Sequence, residues 1–362
     1  MHDRVYNFNP GPSTLPLSVL EQAQRELFNY KGTGMSVMEI SHRSKEFEAI
    51  IQRAETLIKE LSGVGDNYRV LFIQGGASLQ FDMIPMNFLP EGKTADYIIT
   101  GAFAEKAYKE AKKMGAANVA ATTEAENFRR VPRPDEIKLT DDAAYAHITT
   151  NNTIFGTQWH YTPDTDNIPL IADMSSDILS RPMDMNKFSL VYAGAQKNLG
   201  PSGVGVILIR QDLLERVAPN VPTMLRYDTY AKNDSLYNTP PTFGIYMIGL
   251  VLEWIKEKGG LPAMERHNME KAGYIYEAID KSSGFYTGHA EKESRSLMNI
   301  TFRLPSEELD KKFLNEAAAR NLVGLKGHRS VGGMRASVYN AMSKPGCLAL
   351  AEFMDSFRKN YA

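Results

Sequence analysis

One cysteine, Cys347, occurs in 362 residues. That count excludes an internal disulfide and any metal site built from several thiolates. The seven histidines, at positions 2, 42, 147, 160, 267, 289 and 328, show neither His-x-x-x-His nor His-Glu-x-x-His spacing, so no metal is expected. Charge of one sign is also lacking. Against 41 Lys and Arg stand 43 Asp and Glu, a net charge of −2, which gives no electrostatic footprint for nucleic acid or an anionic membrane. No apolar run reaches membrane-spanning length without charges, and residues 1–8 lack the apolar stretch of a secretory leader. A cytoplasmic location is therefore expected. Neither a Gly-x-x-x-x-Gly-Lys-Ser/Thr loop nor a Gly-x-Ser-x-Gly elbow is present, and there is no internal repeat or low-complexity tract.

What remains is a chain of ordinary globular composition, 43% hydrophobic and 23% charged, long enough for two domains or one large α/β domain with an appendage. Residues 69–210 alternate apolar strands with amphipathic or loop segments, the pattern of a doubly wound sheet. Strands are expected at 70–73, 95–100, 118–121, 144–149, 169–173, 188–193 and 205–209, and a helix at 104–114 that stops at Gly115. After a loop-rich stretch at 221–241 comes an apolar helix at 243–258. Gly259-Gly260-Leu261-Pro262 is the expected domain boundary. Beyond it follow a long charged helix, a strand at 296–302, a helix at 307–320 and a last helix after Pro345, which reads as a smaller α+β domain.

Asp173 and Lys197 stand 24 positions apart, each at the end of an apolar run. Where both runs are buried strands, the two side chains emerge at the same edge of a sheet. A lysine there can form a Schiff base with an aldehyde, and an aspartate can keep a pyridine nitrogen protonated, which is what pyridoxal phosphate requires. Taken alone, an Asp or Lys at a strand end is more commonly a turn residue or a solvated charge. Two further segments strengthen the pair. Gln74-Gly75-Gly76-Ala77-Ser78 follows a strand and precedes a helix, the arrangement of a phosphate cradle. Residues 150–157, Thr-Asn-Asn-Thr-Ile-Phe-Gly-Thr, follow another strand and offer amides and hydroxyls. Four such features on the carboxyl side of one sheet fall where folds of this type bind ligands.

These segments, together with Asn7-Phe8-Asn9-Pro10-Gly11-Pro12, Ser41-His42-Arg43-Ser44, Asn238-Thr239-Pro240-Pro241 and Gly327-His328-Arg329-Ser330, closely resemble the phosphoserine aminotransferase family. The likeness covers nearly the whole chain. The lysine segment alone indicates the wider fold-type I pyridoxal phosphate enzymes (class V aminotransferases), and the two His-Arg pairs with Gly332-Gly333-Met334-Arg335 narrow it. The resemblance implies a mostly parallel α/β large domain at 16–260 that binds the cofactor, and a small α+β domain at 261–362 that takes in residues 1–15. It implies a homodimer exchanging an amino group between L-phosphoserine and 2-oxoglutarate, with 3-phosphohydroxypyruvate and L-glutamate as products, in serine biosynthesis.

Residue by residue, the resemblance makes Lys197 the covalent cofactor carrier and the base that moves the substrate α-proton, and Asp173 the partner of the pyridine nitrogen. Gly76 and Ala77 would bind the cofactor phosphate, helped by Ser175 and Gln196, with Thr153 at the ring hydroxyl side. Asn238 and Thr239 would reach the phosphate from the neighbouring subunit. Arg335 would grip the α-carboxylate. His42, Arg43, His328 and Arg329 would read the substrate phosphate, the first two again from the partner. Many members stack a tryptophan on the ring where this chain has Phe103, which still offers an aromatic face.

The rival readings differ in substrate or class. An alanine–glyoxylate or serine–pyruvate type aminotransferase would accept small neutral side chains, for which two His-Arg pairs are unmatched donors. Action on 4-phosphohydroxy-L-threonine is a further possibility within the family. A cysteine desulfurase would need a mobile cysteine, and Cys347 sits in an apolar helical segment. A non-catalytic nucleotide-binding module fits poorly, because the glycine run at 200–205 precedes a strand and opens no helix.

Overall fold

Residues 4–362 are described by a computed structural model. His2 and the first three positions of the 1–15 segment lie outside the described residues. A seven-stranded sheet organises the larger part of the chain, with β1 (Tyr68–Gln74), β2 (Thr94–Ile99), β3 (Ala116–Thr122), β4 (Tyr145–Thr149), β5 (Leu170–Asp173), β6 (Leu190–Gly194) and β7 (Val204–Arg210). Its spatial order is β1-β7-β6-β5-β4-β2-β3. Every neighbouring pair is parallel except the two made by β7, which runs antiparallel to β1 and β6.

The apolar runs in the sequence are continuous because both faces of this sheet are covered. In β6, Val191 and Ala193 enter one hydrophobic core while Leu190 and Tyr192 enter the other. The first core is closed by helices α1 (Lys45–Ser62) and α3 (Thr242–Glu257), and the second by α2 (Ala102–Met114). Ser44 caps α1 by accepting the Phe47 amide, and Gly63 ends it in a left-handed conformation.

A smaller antiparallel sheet joins Thr287–Gly288, Asn299–Arg303 and Met334–Ser337. Tyr6–Asn7 pairs with Leu322–Val323, and Phe8 enters the third core beside Phe302, Phe313 and Phe353. The helix α4 (Gly260–Asp280) follows α3 after a turn through Gly259 at φ +97°. It belongs to both parts: Leu261 and Met264 pack in the first core, Ala272, Ile275 and Ile279 in the third. The strand expected at 296–302 begins later, at Asn299. Ser296 Oγ accepts the amides of Met298 and Asn299 at 3.0 and 2.9 Å, a local side-chain turn that withholds the first residues from the ladder. Cys347 is buried in the last helix, α5 (Lys344–Tyr361), with its thiol pushed up to about 12 by burial.

Candidate active site

The carboxyl ends of β1, β2, β4, β5 and β6 lie along one edge of the sheet, because β7 reverses direction twice over and leaves β1 parallel to the rest. Asp173 is the last residue of β5 and is 5% exposed. Its carboxylate accepts the Ser175 amide at 2.9 Å. Burial pushes its pKa up, and the Lys197 charge with the Ser175 hydrogen bonds opposes that rise. Among the described residues Asp173 makes no salt bridge, so only neutral donors touch it directly.

Lys197 follows β6 in a tight turn closed by the Leu199 and Gly200 amides on the Ala195 carbonyl. The amino-terminal segment fastens the same turn. Ser13 donates its amide to the Gln196 carbonyl at 3.0 Å and its hydroxyl to the Lys197 carbonyl at 2.6 Å. The side chain then reaches the Thr153 hydroxyl, Nζ to Oγ1 2.8 Å, and lies 5.4 Å from the Phe103 ring centroid. Burial pulls its pKa down to about 8, Asp173 pulls it up, and Arg335 pushes it down further.

Arg335 sits on the small sheet opposite Thr301 and is 6% exposed. Its guanidinium donates to the Thr153 carbonyl at 3.4 Å, its Nε has no partner, and no carboxylate pairs with it among the described residues. A buried cation without a counter-ion is costly unless an anion arrives to complete it. Burial accordingly lowers its pKa.

Asp173, Thr153, Phe103, Lys197 and Arg335, distant in the chain, are thus brought into one group. His328 and Arg329 stand at its rim: the positive charges of Arg335, Arg329 and Lys106 all act on His328, after burial the causes of its lowered pKa. Their loop is drawn tight by the Gly327 amide on the Gly333 carbonyl at 2.8 Å. A Cβ at Gly327 would stand 2.1 Å from the Gly332 carbonyl oxygen.

The cradle after β1 is built from turns, and the helix expected directly behind it starts at Gln80. Gly75 and Gly76 both take positive φ, +94° and +62°, which turns the chain back sharply. The amides of Gly76, Ala77 and Ser78 donate to no acceptor among the described residues, leaving a row of free N–H groups. Ser175 accepts the Gly194 amide at 3.1 Å, so its oxygen also ties β6 to the end of β5. Gln196 Oε1 is buried without a partner.

His42 and Arg43 do not join this group within one chain. They line a separate cavity of about 290 Å³ with Arg69 and Asp234, and His42 Nε2 is unpartnered. Thr239 lies beside the cradle, its carbonyl accepting Gln74 Nε2 at 2.9 Å, and Asn238 precedes it on a largely exposed loop.

Sequence reasoning missed the buried network behind the site. Asn151 donates to Ser176 and Asn299, and Asn299 donates to Ser337 and Tyr339. Tyr339 in turn donates to the Pro10 carbonyl at 2.7 Å. The signal available was Asn299, an amide between apolar Met298 and Ile300, which must find partners when buried.

The chemistry available is specific: a lysine of lowered pKa, a buried carboxylate for a ring N–H, free amides for a phosphate, and a buried guanidinium for a carboxylate. This set fits pyridoxal phosphate. Among the described residues there is no group of three or more His, Cys, Asp or Glu that could hold a metal, and no helix is long and apolar enough to cross a membrane.

Comparison with known proteins gives the same direction. The family described as aminotransferase class-V matches residues 5–350. A curated phosphoserine aminotransferase from Herpetosiphon aurantiacus is 62% identical over 353 residues, 98% of this chain and 98% of its own. The solved phosphoserine aminotransferase of Bacillus circulans subsp. alkalophilus is similar at TM-score 0.98 and 57% identity, covering 99% of this chain and 100% of that one. A PLP-bound phosphoserine aminotransferase from Trichomonas vaginalis is similar at TM-score 0.93 and 43% identity, covering 97% and 100%.

Proposed function

The chain belongs to the class-V aminotransferase family, and from that membership we infer the reaction of a phosphoserine aminotransferase. It transfers an amino group reversibly between L-phosphoserine and 2-oxoglutarate, giving 3-phosphohydroxypyruvate and L-glutamate, with pyridoxal 5'-phosphate as cofactor, in serine biosynthesis. The observation that carries the substrate assignment is a pair of separate basic groups without carboxylate partners among the described residues: Arg335 deep in the site, and His328 with Arg329 at its rim. Phosphoserine has an anion at each end, and arginine's planar fork suits both.

Pyridoxal phosphate supplies a carbonyl open to amines and a protonated ring that accepts electron density when a substrate α-proton leaves. Lys197, its pKa near 8, is available as an amine close to neutral pH, both to attach and to take and return that proton. Asp173 as a carboxylate would keep a proton on the ring nitrogen, and the Ser175 amide holds that carboxylate in place. Gly76 and Ala77 offer amides to the cofactor phosphate, with Ser175 and Gln196 beside them. Phe103 would cover a ring face and Thr153 would serve its hydroxyl side. Arg335 fixes the α-carboxylate, which orients the α-proton toward Lys197, and His328 with Arg329 holds the substrate phosphate.

The active unit in this reading is a cytoplasmic homodimer. His42 and Arg43, which do not meet Lys197 in their own chain, complete the phosphate site of the partner, and Asn238 and Thr239 its cofactor phosphate. The division into 16–260 and 261–362 with 1–15 is functional: the first part carries Lys197 and Asp173, the second Arg335.

The test is a half-reaction. The loaded enzyme is mixed with phosphoserine, glutamate, alanine or serine, and conversion to the amine form of the cofactor is followed spectrally. Phosphoserine and glutamate are expected to convert it at far lower concentration than alanine or serine. Equal conversion by alanine would replace this reading with the alanine–glyoxylate type.

A further inference from the structure

Lys271 is a lysine with no accessible surface and no carboxylate partner among the described residues. It sits in α4, two positions after Met269, which is 56% exposed, so water is one side of the helix away. Its Nζ is instead surrounded by three consecutive backbone carbonyls, Val338 at 3.0 Å, Tyr339 at 2.7 Å and Asn340 at 3.5 Å. Burial pulls the Lys271 pKa down to about 7, and the protonated form, an ammonium with three hydrogens to donate and no acceptor, is the one that answers all three carbonyls. Three carbonyls pointing at one centre are a cation seat made by the chain itself; the Tyr339 carbonyl also accepts the Met342 amide at 2.9 Å, and Val338 and Asn340 are the two that lean on Lys271.

The seat lies directly after the strand Met334–Ser337 that carries Arg335. Its other bonds lead to the catalytic lysine. The Asn340 amide donates to Asn198 Oδ1 at 3.0 Å, one residue from Lys197, and Asn340 Nδ2 donates to the Leu179 carbonyl at 2.9 Å. Tyr339 reaches Pro10, at the head of the segment whose Ser13 holds the Lys197 turn. Residues 338–340 therefore join the buried guanidinium to the lysine turn, and α4 grips them through Lys271.

We propose that Lys271 is a positioning residue for substrate binding: its ammonium clamps the 338–340 carbonyls and so holds Arg335 in register with Lys197. The proposal rests on reading Arg335 as the α-carboxylate anchor. Because every amino- and oxo-acid substrate has that carboxylate, loosening the clamp weakens all of them alike. Lys197 is expected to keep its place, since the two Ser13 bonds and the turn on the Ala195 carbonyl hold it in addition to the Asn340–Asn198 bond.

The experiment compares the holoenzyme with Lys271→Met, which keeps the length of the side chain and removes its three donors. The visible absorbance of the bound cofactor is expected to be retained, kcat to change less than about threefold, and KM for phosphoserine and glutamate to rise together by about tenfold, the size of a lost charged hydrogen bond. A role in stability alone lowers the melting temperature and leaves both KM values unchanged, which overturns the proposal. A rise for phosphoserine only also overturns it. Combining Lys271→Met with Arg335→Ala separates the two readings: no further rise in KM beyond Arg335→Ala means that Lys271 acts through Arg335, and an additive rise means that it does not. If Arg335→Ala itself leaves both KM values unchanged, the anchor reading fails independently. Where Lys271→Met does not fold, Lys271→Gln, which keeps a donor on a polar stem, carries the same KM comparison with the same two outcomes.

Discussion

The Lys197 ammonium donates to the Thr153 hydroxyl over 2.8 Å, so the base of the site is held by an uncharged partner. Asp173 stays within electrostatic reach without forming a salt bridge to it. A lysine locked to a carboxylate would remain protonated and useless as a nucleophile. This one is poised to lose its proton.

Cofactor loading of the apo-enzyme should follow that titration. Burial lowers the Lys197 pKa to about 8, so the loading rate rises with pH up to about 8 and then levels, whereas an ordinary lysine would keep gaining to about pH 10. Arg335 lowers this pKa and Asp173 raises it. Arg335→Met should therefore shift the midpoint upward and Asp173→Asn downward. Borohydride trapping at timed intervals, with peptide mapping to Lys197, measures the rate; a profile that still climbs at pH 9.5 (roughly one unit below a free lysine) removes the lowered pKa from the account.

Asp173→Asn should fold and take up cofactor but turn over poorly. A neutral amide cannot stabilise a positive ring nitrogen, and losing one buried charged partner costs on the order of 2–5 kcal/mol. Converted at 1.36 kcal/mol per decade, that is roughly a 30- to several-thousandfold fall in kcat. Single-turnover kinetics with glutamate is the direct measurement, and near-normal rates would take Asp173 out of the mechanism.

The two anion sites should separate kinetically. Arg335→Ala weakens phosphoserine and glutamate alike, again by about 2–5 kcal/mol in kcat/KM. His328→Ala and Arg329→Ala should weaken phosphoserine more than glutamate, by at least about tenfold in the ratio of the two kcat/KM values, as expected for a charged hydrogen bond. Equal losses would mean that the 327–333 loop supports the site without reading phosphate.

A dimer with shared sites permits complementation. A hybrid of one Lys197→Ala subunit and one Arg43→Ala subunit collects both lesions in one site and leaves the other intact. Two inactive homodimers should then give a heterodimer with about half the activity of the native dimer, one of two sites. Co-expression with two tags and assay of the doubly tagged fraction tests it. No activity in a verified heterodimer would assign both residues to the same chain.

Much of this was legible in the residues themselves. The strands came through because a sheet buried on both faces needs unbroken apolar runs, and β6 from Leu190 to Gly194 is buried throughout. Asp173 and Lys197 stood out because a charge at the end of such a run is costly to bury unless something there uses it. The cradle was visible from its glycines, and the helix does follow it, from Gln80; the turns between, with positive φ at both Gly75 and Gly76, were not visible. The late start of the strand at Asn299 was hidden for a similar reason: the Ser296 hydroxyl competes with the ladder for amides.

Sequence by itself determined which residue types are available at each strand end, because burial and local turn chemistry act over a few neighbouring positions. It could not determine that Arg335 lacks a counter-ion among the described residues, that Lys271 is seated on the carbonyls of 338–340, or that Tyr339 bonds Pro10 across a chain separation of 329 positions. Those are decided only when the small sheet closes on the large one. Whether a charge is paired, orphaned or desolvated depends on which distant groups share its low-dielectric surroundings, and only the folded chain sets those neighbours.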